Sequence, residues 1–223
     1  MKPKDHTWKQ YVRNGLGFKL SRLGEVLGIE SWTYNAVILE LFHRLALENA
    51  PAVVKVVRQV IPGFSSVIDV GCGGGAFAAE FNRAGVKAIG LEHSPHGVAL
   101  ARQQGVDCRP FDVALPVEAQ ISEKADLVYS FEVAEHVPAA LADHFVRFAC
   151  ALGPVVVFAA AQPGQGGIGH INEQPVSYWV EKFGRAGFEL DEPTTQALRT
   201  AFQSAQVSSW FSSNTCVYRK SAR

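Results

Sequence analysis

Three acidic residues, Asp69, Glu92 and Asp112, stand at or just after short apolar runs, and a glycine cluster follows the first of them. That cluster lies in Ser66-Val67-Ile68-Asp69-Val70-Gly71-Cys72-Gly73-Gly74-Gly75-Ala76. Glycine lets the backbone take positive φ and approach a bound molecule. A helix opening at Ala76 would add free N–H groups and a partial positive charge. A tight strand-to-helix turn without a ligand uses the same residues. Gly71-x-Gly73-x-x-Ala76, with Glu92 downstream, also fits the dinucleotide fingerprint, so NAD is one candidate ligand. Asp69 weighs against it. A carboxylate two residues before the first glycine has little use beside a pyrophosphate, but it suits a cationic molecule with an amino-acid tail. Glu92, with His93 beside it, can accept from two ribose hydroxyls. Asp112, beside Val113, can accept from an adenine amino group.

A second group follows in Phe131-Glu132-Val133-Ala134-Glu135-His136-Val137, and His170 comes later in Gly169-His170-Ile171-Asn172. Histidine titrates near neutrality, so His136 and His170 are the candidate proton acceptors for chemistry at this end. Two carboxylates and two imidazoles are also adequate ligands for a divalent ion. The simpler reading makes His136 a helix-start residue satisfied by a neighbour, and no metal is expected. The glycine-rich stretch Gln162–His170 reads as a loop able to open and close over a reacting centre.

These residues need a scaffold of alternating elements. Strands are predicted at Val67–Val70, Ala88–Leu91, Val106–Pro110, Leu127–Phe131 and Val155–Ala160. Helices are predicted at Ala76–Ala84, His96–Gln104, Ala139–Leu152 and Val176–Ala186, and late strands near Phe188–Leu190 and Asn214–Arg219. Such alternation means βαβ units and a mainly parallel sheet, with ligands at the carboxyl ends of its strands. Upstream, apolar spacing predicts a helix from Trp8 to Leu27, a second over about Tyr34–Glu48, and a third that starts at Pro51. Two parts follow: a helical extension over residues 1–64, acting as lid or substrate cap, and an α/β domain over 65–223.

Composition narrows the function further. The chain has 223 residues, 48% apolar and 19% charged, which suits a folded domain with a sizeable core. Lys+Arg and Asp+Glu are both 21, so no overall field favours nucleic acid as a partner. Cys72, Cys108, Cys150 and Cys216 form no CxxC pair, and a reduced, cytoplasmic setting is expected. No signal peptide is read at the start. The longest apolar run is too short to span a bilayer, so any membrane contact would be peripheral. Lys2, Lys4, Lys9, Arg13, Lys19 and Arg22, with Trp8, Tyr11 and Phe18, read as a solvated helix face covering the site or as a surface for anionic lipid.

VIDVGCGGG, then Glu92, then Asp112, then Asp126 to Val137, resembles the class I S-adenosylmethionine-dependent methyltransferase family, over roughly residues 65–160. The segment from Gly169 to Glu189 resembles the tail of bacterial small-molecule enzymes of that kind. The resemblance implies a Rossmann-like, seven-stranded, mostly parallel sheet with helices on both faces and an antiparallel last strand. It implies that Asp69, Gly71 and Gly73 line the methionine part of S-adenosylmethionine, Glu92 and His93 the ribose, and Asp112 and Val113 the adenine. Phe131 would form the inner wall and Glu132 would also belong to the donor-binding set, with a small-molecule acceptor and S-adenosylhomocysteine as product. The methylated atom, whether O, N or C, and the oligomeric state are left open. Glu132-x-x-Glu135-His136 with His170 is also similar to the divalent-metal site of a minority of these enzymes, such as small-RNA 2′-O-methyltransferases. An NAD-dependent oxidoreductase and a non-catalytic donor-binding subunit remain the alternatives.

Overall fold

The computed structural model describes residues 15–222. Trp8, Tyr11, the basic run from Lys2 to Arg13 and the first half of the expected Trp8–Leu27 helix lie outside the described residues. The remainder of that helix is α1 (Leu16–Leu27), followed by a single turn, α2 (Glu30–Thr33). The two fold back on each other, and buried Ser21 donates its hydroxyl to the Thr33 carbonyl at 2.7 Å.

Asn35 opens the next helix by accepting from the Val37 N–H at 3.1 Å. That helix, α3, runs unbroken from Ala36 to Val60 with Pro51 inside it. The sequence predicts two helices here, and the structure corrects this. Ile38, Leu41, Val53, Val54 and Val57 recur at helical spacing and are buried along one face. Burial of that stripe outweighs the N–H that Pro51 lacks, which leaves the Leu47 carbonyl without its helical donor.

Strands and helices then alternate: β1 (Ser66–Val70), α4 (Ala76–Arg83), β2 (Lys87–Glu92), α5 (Pro95–Gln103), β3 (Asp107–Pro110), β4 (Leu127–Phe131), α6 (Ala142–Leu152), β5 (Val155–Ala159), α7 (Val176–Arg185) and β6 (Phe188–Leu190). Two helices not read from the sequence follow, α8 (Glu192–Ser204) and α9 (Ser209–Asn214), before β7 (Cys216–Lys220). The seven strands lie in the order β3-β2-β1-β4-β5-β7-β6. Strands β1 to β5 are parallel, and β7 is antiparallel to both of its neighbours. This is the class I methyltransferase topology expected above.

The core has two layers. Val67, Tyr129 and Phe131 on one sheet face pack with residues of α3, α4, α5, α8 and α9. Ile68, Val70, Val128 and Phe158 on the other pack with α6 and α7. The sequence division at residue 65 is not a division of the core, because α3 shares one hydrophobic cluster with β1 and α4. The chain order reverses between β1 and β4, and that switch point opens a crevice at their carboxyl ends. No helix of the described residues is long and apolar enough to cross a membrane.

The exposed Pro51 inside α3 gives a direct test of helix continuity. Replacing it with Ala should restore a helical hydrogen bond and raise the unfolding free energy by about 1–3 kcal/mol. The gain should appear as a higher denaturant midpoint at unchanged slope. A loss of stability would mean that the helix breaks there.

Candidate active site

The crevice holds a cavity of about 1010 Å³. The residues expected to hold the donor or to take a proton line it: Asp69, Gly71, Gly73, Glu92, His93, Asp112, Val113, Phe131, Glu132, His136 and His170, whereas Glu135 does not. One half is built from the glycine loop. Gly71 has φ of 76°, and a Cβ there would lie 2.5 Å from a Val133 methyl, so the loop and the segment after β4 touch only because glycine stands at this position. Glu92, ending β2, accepts from the Gly73 N–H and the Ser94 N–H, each at 2.7 Å. Its carboxylate therefore braces the loop from inside, with lone pairs left over. Asp112 accepts from the Ala114 N–H at 2.9 Å through one oxygen. His93 Nδ1 meets the Phe111 carbonyl at 3.1 Å.

Asp69 is buried with Oδ2 unpartnered. Burial, reinforced by the Glu92 charge, pushes its pKa up to about 8. Burial also raises Glu92, although the Ser94 and Gly73 N–H groups oppose the shift. Two acids kept from full ionisation by desolvation, in a cavity, are ready to receive a cation.

The other half begins at Glu132, a non-glycine residue with φ of 54° at the end of β4. Its carboxylate accepts from Asn214 Nδ2 at 3.1 Å and Gln165 Nε2 at 2.9 Å. Next comes a short 3-10 turn, Ala134–His136, rather than the start of a long helix. His136 is satisfied by partners far away in the chain. Its Nδ1 lies 2.9 Å from the Tyr34 hydroxyl and 3.1 Å from the Gly169 carbonyl. The same hydroxyl donates to that carbonyl at 3.1 Å. A carbonyl only accepts, so Nδ1 carries the proton in this triangle and Nε2 keeps its lone pair. Burial holds the His136 pKa down at about 4, so the ring is neutral.

The loop expected to open and close is fastened in this structure. Glu173 accepts from the N–H groups of Gly164 and Gly166 and contacts His170 Nδ1 at 2.8 Å. The N–H of Gly169 donates to Glu25 of α1 at 2.5 Å. Gly24, Glu25, Thr33 and Tyr34 reach the cavity from the N-terminal side, whereas Trp32 does not line it. Sequence reasoning missed Glu25, His43, Gln165 and Asn214. His43 sits under the glycine loop, its Nδ1 2.2 Å from where a Cβ on Gly74 would be. Only the spacing of α3 carried a signal for it.

Comparison with known proteins identifies the family. Residues 33–165 match the model of the methyltransferase domain family, so the chain belongs to that family. A ubiquinone biosynthesis O-methyltransferase from Methylobacterium sp. (strain 4-46) is 38% identical over 103 residues, which is 43% of this chain and 40% of that protein. The chain thus matches about two fifths of that relative's length. Among solved structures, an amino pentose methyltransferase from Micromonospora echinaspora, involved in calicheamicin biosynthesis, superposes with a TM-score of 0.63 at 18% identity. The match covers 84% of this chain and 98% of that one. Magnesium protoporphyrin IX methyltransferase from Synechocystis PCC 6803 gives a TM-score of 0.57 at 17% identity, over 91% and 99% of the two chains. At these identities the two structures show a shared fold.

A double-mutant cycle tests the joint between the N-terminal segment and the loop. Gly169 has φ of 74°, and a Cβ there would stand 1.9 Å from the Tyr34 hydroxyl. Gly169→Ala should cost about 2–4 kcal/mol of stability in the native background and clearly less in Tyr34→Ala, with a coupling of at least about 1 kcal/mol. Additive costs would show that the two residues do not meet.

Proposed function

We propose that this chain binds S-adenosylmethionine in the cavity and transfers its methyl group to a small-molecule acceptor. The observation that carries the reading is the placement of Asp69, Glu92 and Asp112 at or beyond three strand ends around one cavity, with the glycine loop against them. Asp69 would take the donor's ammonium group, Glu92 with His93 the ribose, and Asp112 with Val113 the adenine. Phe131, stacked on Tyr129 at 4.2 Å and on Phe211 at 5.4 Å, would form the apolar floor under the sulfonium. Membership of the methyltransferase family and the O-methyltransferase and sugar methyltransferase relatives support the donor and the acceptor class. An NAD site would leave Asp69 facing a pyrophosphate.

The acceptor would lie between the donor and the N-terminal segment, which with the Gly164–Gly169 loop acts as its cover. Leu39, Phe42, Val137, Leu141, Ile168 and Ile171 line that side. Such a wall favours an acceptor with an apolar body. His136 and His170 would offer lone pairs at its reacting end, where a hydroxyl acceptor must lose a proton. Methyl transfer otherwise asks the protein for alignment and exclusion of water. The free cysteines, with the Cys72 and Cys108 thiols hydrogen-bonded at 3.6 Å rather than joined as a disulfide, fit a reduced cytoplasmic setting.

Calorimetry tests the donor. S-adenosylhomocysteine should bind at micromolar order, and NAD should not compete. Glu92→Ala and Asp69→Ala should each weaken binding by about 1.5–3 kcal/mol, roughly ten- to 150-fold. Undiminished binding in both variants, or displacement by NAD, would remove the proposal.

A further inference from the structure

Helix α1 packs with its amphipathicity reversed. Its contact face is made of small residues, buried Ser21 and Gly24 with Gly17 beside them. A Cβ on Gly17 would lie 2.7 Å from Val37 Cβ, and one on Gly24 would lie 2.5 Å from the Thr33 nitrogen. The large apolar residues are outside. Leu16 is 84% exposed, Val26 82%, Leu27 55% and Leu23 46%. On a helix, Leu16, Leu23 and Leu27 share one narrow stripe, and Val26 borders it. Trp32 and Val37, next to the contact face, are exposed as well. Packing of this helix therefore leaves its leucines unused, and a contiguous apolar patch in water marks an interaction surface.

Charge indicates what the surface meets. Lys19 and Arg22 are exposed on the same helix, on the side of the stripe that carries Val26. Glu25, the acid of α1, lies on the opposite side and accepts the Gly169 N–H. Residues 1–24 carry six basic side chains against one acid, Asp5, whereas the remainder carries fifteen against twenty. The neutral chain is thus polarised, with its basic end at the exposed apolar helix. Anionic lipid headgroups over an acyl layer complement both properties at once.

We propose that α1 docks this chain on the surface of an anionic bilayer. Leu16, Leu23, Val26 and Leu27 would enter the acyl boundary, and Lys19 and Arg22 would keep their charges among the headgroups. The 12-residue helix would lie in the plane of the surface, because it is too short to cross. A second copy of the chain fits the stripe less well, since a two-fold pairing would bring the basic side chains of both copies together. The surface adjoins the cavity: Gly24, Glu25 and Gly28 line it from α1 and its end, and so does Ile171, which is 64% exposed. A docked chain would receive an acceptor with an apolar body from the lipid, a consequence that rests on the acceptor reading above.

The test floats the full chain with vesicles of phosphatidylglycerol mixed with phosphatidylcholine, and of phosphatidylcholine alone. Binding should be saturable, at least about tenfold tighter to the anionic vesicles, and weaker at high salt. Leu23→Ser combined with Val26→Ser should weaken it at least about tenfold, with the denaturant midpoint and S-adenosylhomocysteine affinity unchanged. Lys19→Glu combined with Arg22→Glu should remove the preference for anionic vesicles. Absence of vesicle binding, equal binding to both compositions, or undiminished binding of the Leu23→Ser, Val26→Ser variant would overturn the proposal. So would a dimer, seen by sedimentation, that this variant no longer forms. Calorimetry with S-adenosylhomocysteine, without vesicles, separates the two readings. If the product binds and the vesicles do not, only the docking surface falls. If the vesicles bind and the product does not, the methyltransferase reading falls and the docking surface stands.

Discussion

The buried carboxylates at the ends of β1 and β2 are the constraint around which the rest of the molecule is organised. Asp69 and Glu92 lie in the sheet's interior edge, where ionisation is opposed by desolvation and, at Asp69, by the Glu92 charge as well. Glu92 obtains partial relief from two backbone N–H groups, and this fixes the course of the loop between β1 and α4. Asp69 Oδ2 obtains none. A fold that keeps such a group unpaired holds electrostatic work in reserve for a cationic ligand. The strand order serves this arrangement, because β1 and β4 part at the switch point and leave the acids facing a cavity rather than the core.

The second wall depends on contacts between distant parts of the chain. Glu25 in α1 and Tyr34 before α3 hold the Gly169 peptide from both sides, and Tyr34 also holds His136. The N-terminal segment is thus part of the site, and α3 is part of the same core as the glycine loop. Glu132 bridges to Asn214 and Gln165, which ties the end of β4 to α9 and to the loop after β5. Both walls converge on the space between Phe131, Glu132 and the His136–His170 pair, whose rings lie 5.0 Å apart.

What was legible in the sequence was local. An apolar run, a glycine cluster and a helix start occupy consecutive residues, so Asp69, Gly71, Gly73 and Glu92 could be placed at strand ends before any contact was known. The late helices were harder. In α8 only Leu198, Phe202 and Thr195 are buried, a stripe too sparse to stand out, although Asp191 and Pro193 do mark its start. Pro51 suggested a helix start, but tertiary packing on both sides of it prevailed. His136 was expected to be satisfied by a neighbour, yet its partners are 102 and 33 residues away. No periodicity encodes such pairings. Glu135 looked like one acid among several, and only the closed packing around it shows that its carboxyl is buried without a hydrogen-bond partner.

The central claim is that the cavity receives a cationic ligand through Asp69, and proton release on binding measures it most directly. With a pKa of about 8 in the empty protein, Asp69 is mostly protonated near neutrality. The ligand's ammonium group needs the ionised form, so binding should expel a proton. Titrating S-adenosylhomocysteine by calorimetry in buffers of different ionisation enthalpy should show release of about one proton at pH 7. Affinity should rise about tenfold per pH unit between roughly 6 and 8 and level off above. Asp69→Asn should abolish the release. Binding of full strength with no proton release and no pH dependence across that range would contradict the account.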